Sequence, residues 1–192
     1  MQKLFLFMLA AALCLTACGS EEAPQETSNQ TGNSGVEAVA PPNAGTNNEN
    51  GLLGAEDCKI VAAGVTLEIG ADFLPNVDVI GEARIEEGQA CLEGGYDTNY
   101  YYGDSLAIYT YAKDGKQIIY DIYITGAEYT TSKGAKVGQT TKDEIHELYG
   151  AATTSFPTSE RYQVEGSDIV ITFVFADNVL ESIDILDSGV NN

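Results

Sequence analysis

Apolar and polar residues alternate with a period of two along much of residues 59–186. This alternation is typical of strands with one buried face, because successive side chains point to opposite sides of a sheet. Asp114-Gly115 and Asp177-Asn178 favour tight hairpin turns between such segments. The pattern predicts strands over residues 59–68, 89–93, 98–102, 105–112, 117–125, 127–131, 161–164, 168–175 and 179–186.

Two segments have the spacing of short helices instead. The clearer one begins at Thr140 or Thr141, either of which can cap its first turn, and ends before Gly150. The weaker one covers residues 72–80 and ends before Gly81. The sequence therefore predicts an α+β domain, mostly antiparallel sheet with two short helices.

The two helix candidates belong to an internal repeat. Ile69-Gly70 precedes the first and Val137-Gly138 precedes the second, 68 residues later. At an offset of 63, Asp121-Ile122 matches Asp184-Ile185. The matches predict a tandem duplication of one unit, a short helix followed by a meander of strands. The predicted units cover about residues 59–125 and 126–187.

The N-terminal segment has the order of a targeting signal. Lys3 is followed by an uncharged run over residues 4–15, which is too short to span a bilayer as a helix. The run ends in Leu15-Thr16-Ala17-Cys18, which resembles the lipobox of bacterial lipoproteins. The resemblance implies removal of residues 1–17 and a lipid-bearing Cys18; an ordinary secretory signal with an incidental cysteine is the alternative.

Residues 18–51 contain almost no large apolar side chain. Such a segment cannot bury enough surface to fold, so we expect a disordered tether with a reach of roughly 30 to 35 Å. The folded domain is predicted over residues 52–192. The acyl chains on Cys18 would hold it at a lipid bilayer, on the extracytoplasmic face of the cell membrane.

The chain is strongly acidic, with 9 Lys and Arg residues against 29 Asp and Glu residues and a formal net charge of −20. That charge repels nucleic acid phosphates and anionic headgroups, so neither is an expected partner. No EF-hand loop is present in the sequence, and we interpret the acidity as a solvated surface.

Two of the four cysteines remain in the predicted domain, since Cys14 is removed with the signal and Cys18 is lipidated. Cys58 and Cys91 would face an oxidising compartment, which favours a disulfide between them. Two separate buried thiols are the alternative, because spacing alone does not bring two Cα atoms within bridging distance.

Residues typical of catalysis are sparse. His146 is the only histidine, and its place on a short predicted helix indicates a solvated residue of the helix surface. Phosphate-binding loops and the Gly-x-Ser-x-Gly pattern do not occur. The sequence predicts no enzyme, no metal site and no cofactor, and an unrecognised hydrolase is the alternative from another class.

The 11 tyrosines, with no tryptophan beside them, suggest a recognition surface. Leu106 and Ile108 mark the core face of their strand, because their repeat partners are strongly apolar. Tyr109 and Tyr111 then point to the opposite face, with Tyr123 beside them from the next strand. Tyrosine is enriched at protein interfaces, although its strand propensity alone would also place it on a half-exposed sheet.

Several segments resemble a family of clostridial-type lipoproteins, most of which have no assigned function. They are residues 91–97, 100–103, 108–111 and 130–150, the last with Thr-x-x-Gly-type spacing before a helix closed by Tyr149-Gly150. The duplicated architecture is similar to β-lactamase inhibitory protein and to the BamE-type lipoproteins. The expected function is non-catalytic recognition of an envelope or extracellular protein; an envelope assembly or structural factor and an inhibitor of an extracellular enzyme are the alternatives.

Overall fold

The structure is a computed structural model that describes residues 53–89 and 96–190. The predicted signal peptide and tether, including Cys18, lie outside the described residues, and so does Cys91. Within the described part, no helix is both long enough and apolar enough to cross a membrane.

Strands make up most of the domain. Eight antiparallel strands form one large sheet, and three short strands form a second one. The strands are β1 (Ile60–Ala62), β2 (Val65–Leu67), β3 (Arg84–Gln89), β4 (Tyr96–Tyr102), β5 (Leu106–Lys113), β6 (Lys116–Ile124), β7 (Thr130–Thr131), β8 (Thr154–Ser155), β9 (Ser159–Gln163), β10 (Ile169–Ala176) and β11 (Val179–Asp187). The helices are α1 (Val77–Ile80) and α2 (Lys142–Tyr149), with 3₁₀ turns at Ala55–Cys58 and Leu74–Asn76. The α+β class, mostly antiparallel with two short helices, is confirmed.

The large sheet has the order β3-β4-β5-β6-β11-β10-β9-β8. Each half is therefore a four-stranded meander that follows one helix along the chain, and the halves meet where β6 pairs with β11. Ile122 lies directly opposite Ile185 in that pairing, and these residues are 63 apart, the offset of the repeat. A pseudo-two-fold axis thus passes through this pair, as expected if the two halves derive from one unit.

One face of the large sheet carries the core. Ile108, Ile122, Ile171 and Ile185 are fully buried along its centre. The helices and the small sheet, ordered β2-β1-β7, supply the second layer. Burial of this alternating apolar face is the main stabilising contribution expected for such a two-layer domain.

Helix α2 begins where its sequence predicts. Thr141 rather than Thr140 is the N-cap: its Oγ1 accepts a hydrogen bond from the Glu144 backbone N–H, and Glu144 Oε2 accepts one from the Thr141 backbone N–H at 2.7 Å. These reciprocal bonds form a capping box, which satisfies two otherwise unpaired donors. Gly150 ends the helix with a φ of 78°, a conformation that favours glycine.

The hairpin turns predicted at Asp114-Gly115 and Asp177-Asn178 are confirmed. All four residues have positive φ, between 49° and 76°. This backbone matches the right-handed twist of the flanking strands, which is why these residue types are preferred there.

Several predicted boundaries are wrong. Residues 59–68 form the hairpin β1–β2 rather than one strand, because Ala63-Gly64 turns the chain with positive φ at both positions. Residues 90–93 of the strand predicted over 89–93 lie outside the described residues, and β3, which ends at Gln89 and pairs with β4, was not predicted. Alternation is weak in the Arg84-Ile85-Glu86-Glu87-Gly88 stretch, which is exposed at the sheet edge and carries charges typical of edge strands.

The weaker helix and two further elements also differ from prediction. The segment over 72–80 has only a 3₁₀ turn and one α turn, and Asp72 before them forms a bridge to Ile118 of β6. Only Thr130–Thr131 of the strand predicted over 127–131 is paired, as β7. The two-residue strand β8 was not predicted, since an edge strand this short has no measurable period.

Candidate binding surface on the outer face of the sheet

The face of the large sheet opposite the core carries most of the predicted site. Leu106, Ile108 and Thr110 are buried on the core side of β5, as the alternation predicts. Tyr109 and Tyr111 point the other way and are half-buried. Tyr123 on β6 is 40% exposed. The assignment of the three tyrosines to the outer face is confirmed, and their role in binding stays a prediction.

A row of tyrosines continues across three strands, and we call it the tyrosine row. Tyr101 packs edge-on against Tyr109, with ring centroids 6.1 Å apart, and Tyr120 lies 6.4 Å from Tyr109 and 6.3 Å from Tyr111. Neighbouring rings at these separations attract each other beyond the effect of burial. The row consists of Tyr101, Tyr109, Tyr111, Tyr120 and Tyr123.

A β-bulge brings Tyr120 into the row. Tyr109 lies opposite Asp121, but the next residue, Thr110, lies opposite Ile119, so Tyr120 has no direct partner on β5. A bulge of this kind re-aims the side chain of the extra residue. Strict alternation would place Tyr120 on the core face, which is why the sequence pattern missed it.

Between two of these rings lies an open cavity of about 250 Å³. Ala107 forms its floor, with Tyr101 directly opposite on β4 and Tyr123 directly opposite on β6. A methyl group between two large rings leaves a gap that a larger side chain would fill. Tyr109 closes a third side, and the rim includes Arg84 and Asp104.

Two of the three predicted tyrosines, Tyr109 and Tyr123, line this cavity, whereas Tyr111 lies beside the β5–β6 turn with Lys113 and Lys116. Tyr101 and Ala107 were missed. Tyr101 could have been found, because the buried Tyr100 and Tyr102 on either side of it mark the opposite face. Ala107 forms the floor of a cavity only because rings from two other strands lie on either side of it, and the sequence pattern does not show that arrangement.

Arg84 lies over the Tyr101 ring, with its guanidinium carbon 4.1 Å from the centroid. It also contacts the Glu86 carboxylate on its own strand. The negative face of an aromatic ring attracts a guanidinium at this distance. The outer wall of the cavity thus already holds one cation.

Two carboxyl groups meet beside the tyrosine row at the pseudo-two-fold axis. Asp121 and Asp184 are equivalent residues of the two halves, on β6 and β11. Burial, followed by the nearby Asp184, raises the pKa of Asp121 to about 8. Burial also raises the pKa of Asp184, against the opposing influences of a hydrogen bond with Asp121 and of the charge on Arg161. The pair therefore holds a proton near neutral pH, because two adjacent carboxylates cannot both ionise easily.

Three buried acceptor oxygens on this face have no hydrogen-bond partner among the described residues. They are Oδ1 of Asp97, of Asn99 and of Asp121. Asn99 and Asp121 lie directly opposite Tyr109, one on each side. Buried acceptors of this kind are uncommon in proteins, and all three could accept hydrogen bonds from a ligand or from water.

A separate ionic cluster lies on the core side; the predicted exposure of His146 on the helix surface is confirmed, but its contact with Glu160 was not predicted. His146 is exposed at 46% of its side chain, yet its Nε2 lies 2.7 Å from Glu160 Oε2. Glu160 is buried on β9 and also contacts Lys142 at 3.2 Å and the Tyr162 hydroxyl at 3.1 Å. The sequence missed this cluster because the contacts join residues of α2 to a strand far along the chain.

The same cluster sets the ionisation of Glu160. Burial by itself would raise the pKa of this carboxyl, but hydrogen bonds from His146, Lys142 and Tyr162 outweigh that influence and hold the pKa below its usual value. Glu160 is therefore an anion that ties α2 to the sheet. Ser155 donates a hydrogen bond to Glu160 rather than to the imidazole, so these three residues do not form a Ser-His-acid triad.

Cys58 is buried at 3% exposure, in the 3₁₀ turn that precedes β1. Burial, with a further contribution from Asp57, raises the pKa of its thiol to about 12, so it is a protonated, unreactive group in this setting. It is the only cysteine in the described part of the chain. Its predicted pairing with Cys91 stays a prediction.

Residues 53–89 and 96–190 contain no group of three or more His, Cys, Asp and Glu side chains placed to hold a metal ion. No protein-family model matches the sequence, and comparisons with curated proteins and with solved structures find no match either. The resemblance to clostridial-type lipoproteins stays a prediction that rests on the quoted segments alone.

Proposed function

We propose that this protein is a lipid-anchored, extracytoplasmic binding protein that recognises another protein through the outer face of its large sheet. The observation that carries the proposal is the tyrosine row: five half-exposed aromatic residues with polar tips on three adjacent strands, and three of these residues line one cavity. Interfaces are enriched in such residues, because tyrosine supplies a large contact area with few rotatable bonds.

The anchor in this proposal rests on the sequence of residues 1–18, with its uncharged run and its cysteine. A tether of the predicted composition would let the domain reach partners at some distance from the lipid surface. The remaining sites support binding better than catalysis, since the one imidazole is bonded to a buried structural carboxylate.

Site-specific photo-crosslinking tests the proposal in the full-length protein at its native membrane. Tyr123 is replaced by a photoreactive benzoyl-phenylalanine, and Phe156 carries the same replacement as the matched control. Both are aromatic and similarly exposed, at 40% and 47%, but Phe156 lies near the opposite edge of the sheet, beside β8. We expect one discrete protein adduct from position 123 and none of that mass from position 156.

Identical adducts from both positions, or no protein adduct from position 123, would contradict protein recognition through this face. An envelope assembly factor, which the resemblance of the predicted duplication to BamE-type lipoproteins implies, is the second candidate. It would give adducts with several components of one membrane complex rather than with a single protein.

A further inference from the structure

We propose that the partner presents a cationic side chain, arginine or lysine, to the cavity above Ala107. This inference rests on the proposed function and names the chemistry of the partner at that same surface. The tyrosine row would contact the backbone and neighbouring side chains of the partner segment, and the cavity would take the charged group.

The wall of the cavity already binds a cation. The guanidinium of Arg84 lies 4.1 Å from the centre of the Tyr101 ring. Tyr109 is nearly perpendicular to Tyr101, at an interplanar angle of 84°, so the two rings form a corner. A corner of aromatic faces surrounds a compact cation, whereas a sugar stacks best on a flat platform.

The polar groups left unpaired on this face are all of one kind. The buried atoms without a partner, on Asp97, Asn99 and Asp121, are acceptor oxygens, and two of them belong to carboxyl groups. None of these three residues lines the cavity itself, but they lie on the same face of the sheet, where the N–H donors of a basic partner segment would match their unpaired oxygens. Asp104 on the cavity rim adds an exposed carboxylate where the charged group would enter.

The charge of the whole chain also favours a basic partner. A net charge of −20 attracts basic partners over a long range and repels acidic ones. The local cations also indicate which end of the row is used. Lys113 and Lys116 lie beside Tyr111, whereas Arg84 at the opposite end is paired with Glu86, so a basic segment is favoured at that end, by Tyr101 and Tyr123.

The test measures binding of a matched pair of peptides to the full-length protein in detergent, at physiological salt. One peptide carries three arginines separated by glycines, and the other carries citrulline, the neutral isostere, at the same positions. We expect the arginine peptide to bind and the citrulline peptide to bind at least about tenfold more weakly. No measurable binding of the arginine peptide, or equal binding of both, overturns the inference.

Arg84→Gln gives the most specific readout, because it removes the cation that competes for the Tyr101 ring. We expect this variant to bind the arginine peptide at least about threefold more tightly. Weaker binding after Arg84→Gln would overturn the inference, since it would mean that Arg84 serves an acceptor-bearing or anionic ligand.

A comparison of Asp104→Asn with Glu147→Gln distinguishes binding at a local site from general attraction to the negative charge of the protein. Each removes one exposed carboxylate, the first at the cavity rim and the second on α2. We expect about threefold weaker binding for Asp104→Asn and no change for Glu147→Gln, because screening limits the reach of the second charge. Equal effects of both substitutions would show non-specific attraction and overturn the inference.

A neutral chitin oligosaccharide serves as the competing probe. If it binds and displaces the arginine peptide, the cavity recognises a glycan and the inference is overturned.

The crosslinking experiment at Tyr123 distinguishes failure of this inference from failure of the proposed function. A protein adduct without peptide binding leaves protein recognition intact and rejects the cationic partner, whereas the absence of any adduct rejects protein recognition itself.

Discussion

Asp121 and Asp184 illustrate how single residues respond to the pseudo-symmetry of this fold. An axis that passes through Ile122 and Ile185 places equivalent residues of the two halves side by side. The acids that precede each isoleucine therefore lie close together on the outer face. Because burial raises the pKa of both groups, and the nearby Asp184 raises that of Asp121 further, ionisation of the pair opposes folding.

Asp121→Asn should stabilise the domain at pH 8 and have little effect at pH 4. Because the pKa of Asp121 is raised in the folded state, the protonated carboxyl favours the folded domain. This contribution to stability is complete below the unfolded pKa of about 4 and is lost as the pH rises through the folded pKa of about 8. Asparagine stays neutral, so we expect a gain of about 1 kcal/mol, or roughly 3 °C in Tm, at pH 8 only.

Thermal unfolding of both proteins at the two pH values checks this prediction. Asp104→Asn is the control, since it makes the same chemical change at an exposed position of the same face. An equal change in Tm for both variants, or no dependence on pH, would contradict a coupled carboxyl pair.

Glu160→Gln should destabilise the domain by about 2 kcal/mol at pH 7, because a buried carboxylate that accepts charge-assisted hydrogen bonds is lost. The lowered pKa of Glu160 means that its contribution is present above the unfolded value of about 4.3 and is lost as the pH falls through the folded value. The difference between the two proteins should therefore shrink at pH 3. Denaturant unfolding measures it, and the exposed Glu147→Gln should change stability by less than about 0.5 kcal/mol.

At the scale of elements, turn chemistry decides how the strands divide. The β1–β2 turn places Ala63 at a φ of 49° and Gly64 at 81°. Alanine has a steric cost in the left-handed region that glycine avoids. The β5–β6 and β10–β11 turns use Asp and Asn at such positions, which tolerate this backbone better.

Ala63→Gly should consequently stabilise the domain, by about 0.5 kcal/mol, because relief of the strained φ exceeds the extra chain entropy of glycine. The same substitution at Ala112, an exposed residue within β5, should destabilise it by about 0.5 to 1 kcal/mol. Denaturant midpoints of the two variants give the comparison, and a loss of stability for Ala63→Gly would show that the turn is not strained.

For the whole molecule, location and charge act together in the proposed role. A strongly acidic domain is repelled by anionic lipid headgroups, so its own surface gives it no affinity for them. Retention at a membrane would then depend on the acyl chains at Cys18. The tether would keep the outer face free to meet a partner.

Cys18→Ala should release the protein from the membrane, or leave it unprocessed with residues 1–17 attached, because no lipid is transferred without the thiol. Detergent-phase partitioning and the mass of the N-terminal peptide measure the two outcomes. Ser20→Ala, two residues later, should change neither property. A processed, membrane-bound Cys18→Ala protein would reject the lipoprotein interpretation.

Much of this architecture could be predicted from local patterns. Period-two alternation is a property of the extended backbone itself, so Ile108 and Tyr109 could be assigned to opposite faces before any strand was paired. Hairpin turns and the α2 cap depend on residues within a few positions of each other. The turn at Asp114-Gly115 was predicted correctly, and Thr141 is one of the two cap residues that the sequence offered. The α+β class follows from the same local signals.

Tertiary structure alone decided which residues meet. The cavity exists because Ala107 lies between rings of two other strands, the bulge at Tyr120 arises from the register of β5 against β6, and Glu160 lies beneath His146 only after α2 packs on the sheet. Register and packing depend on contacts between residues far apart in the chain, whose geometry no local period encodes. The sequence by itself therefore determined the faces of the strands, and pairing across the sheet determined the site.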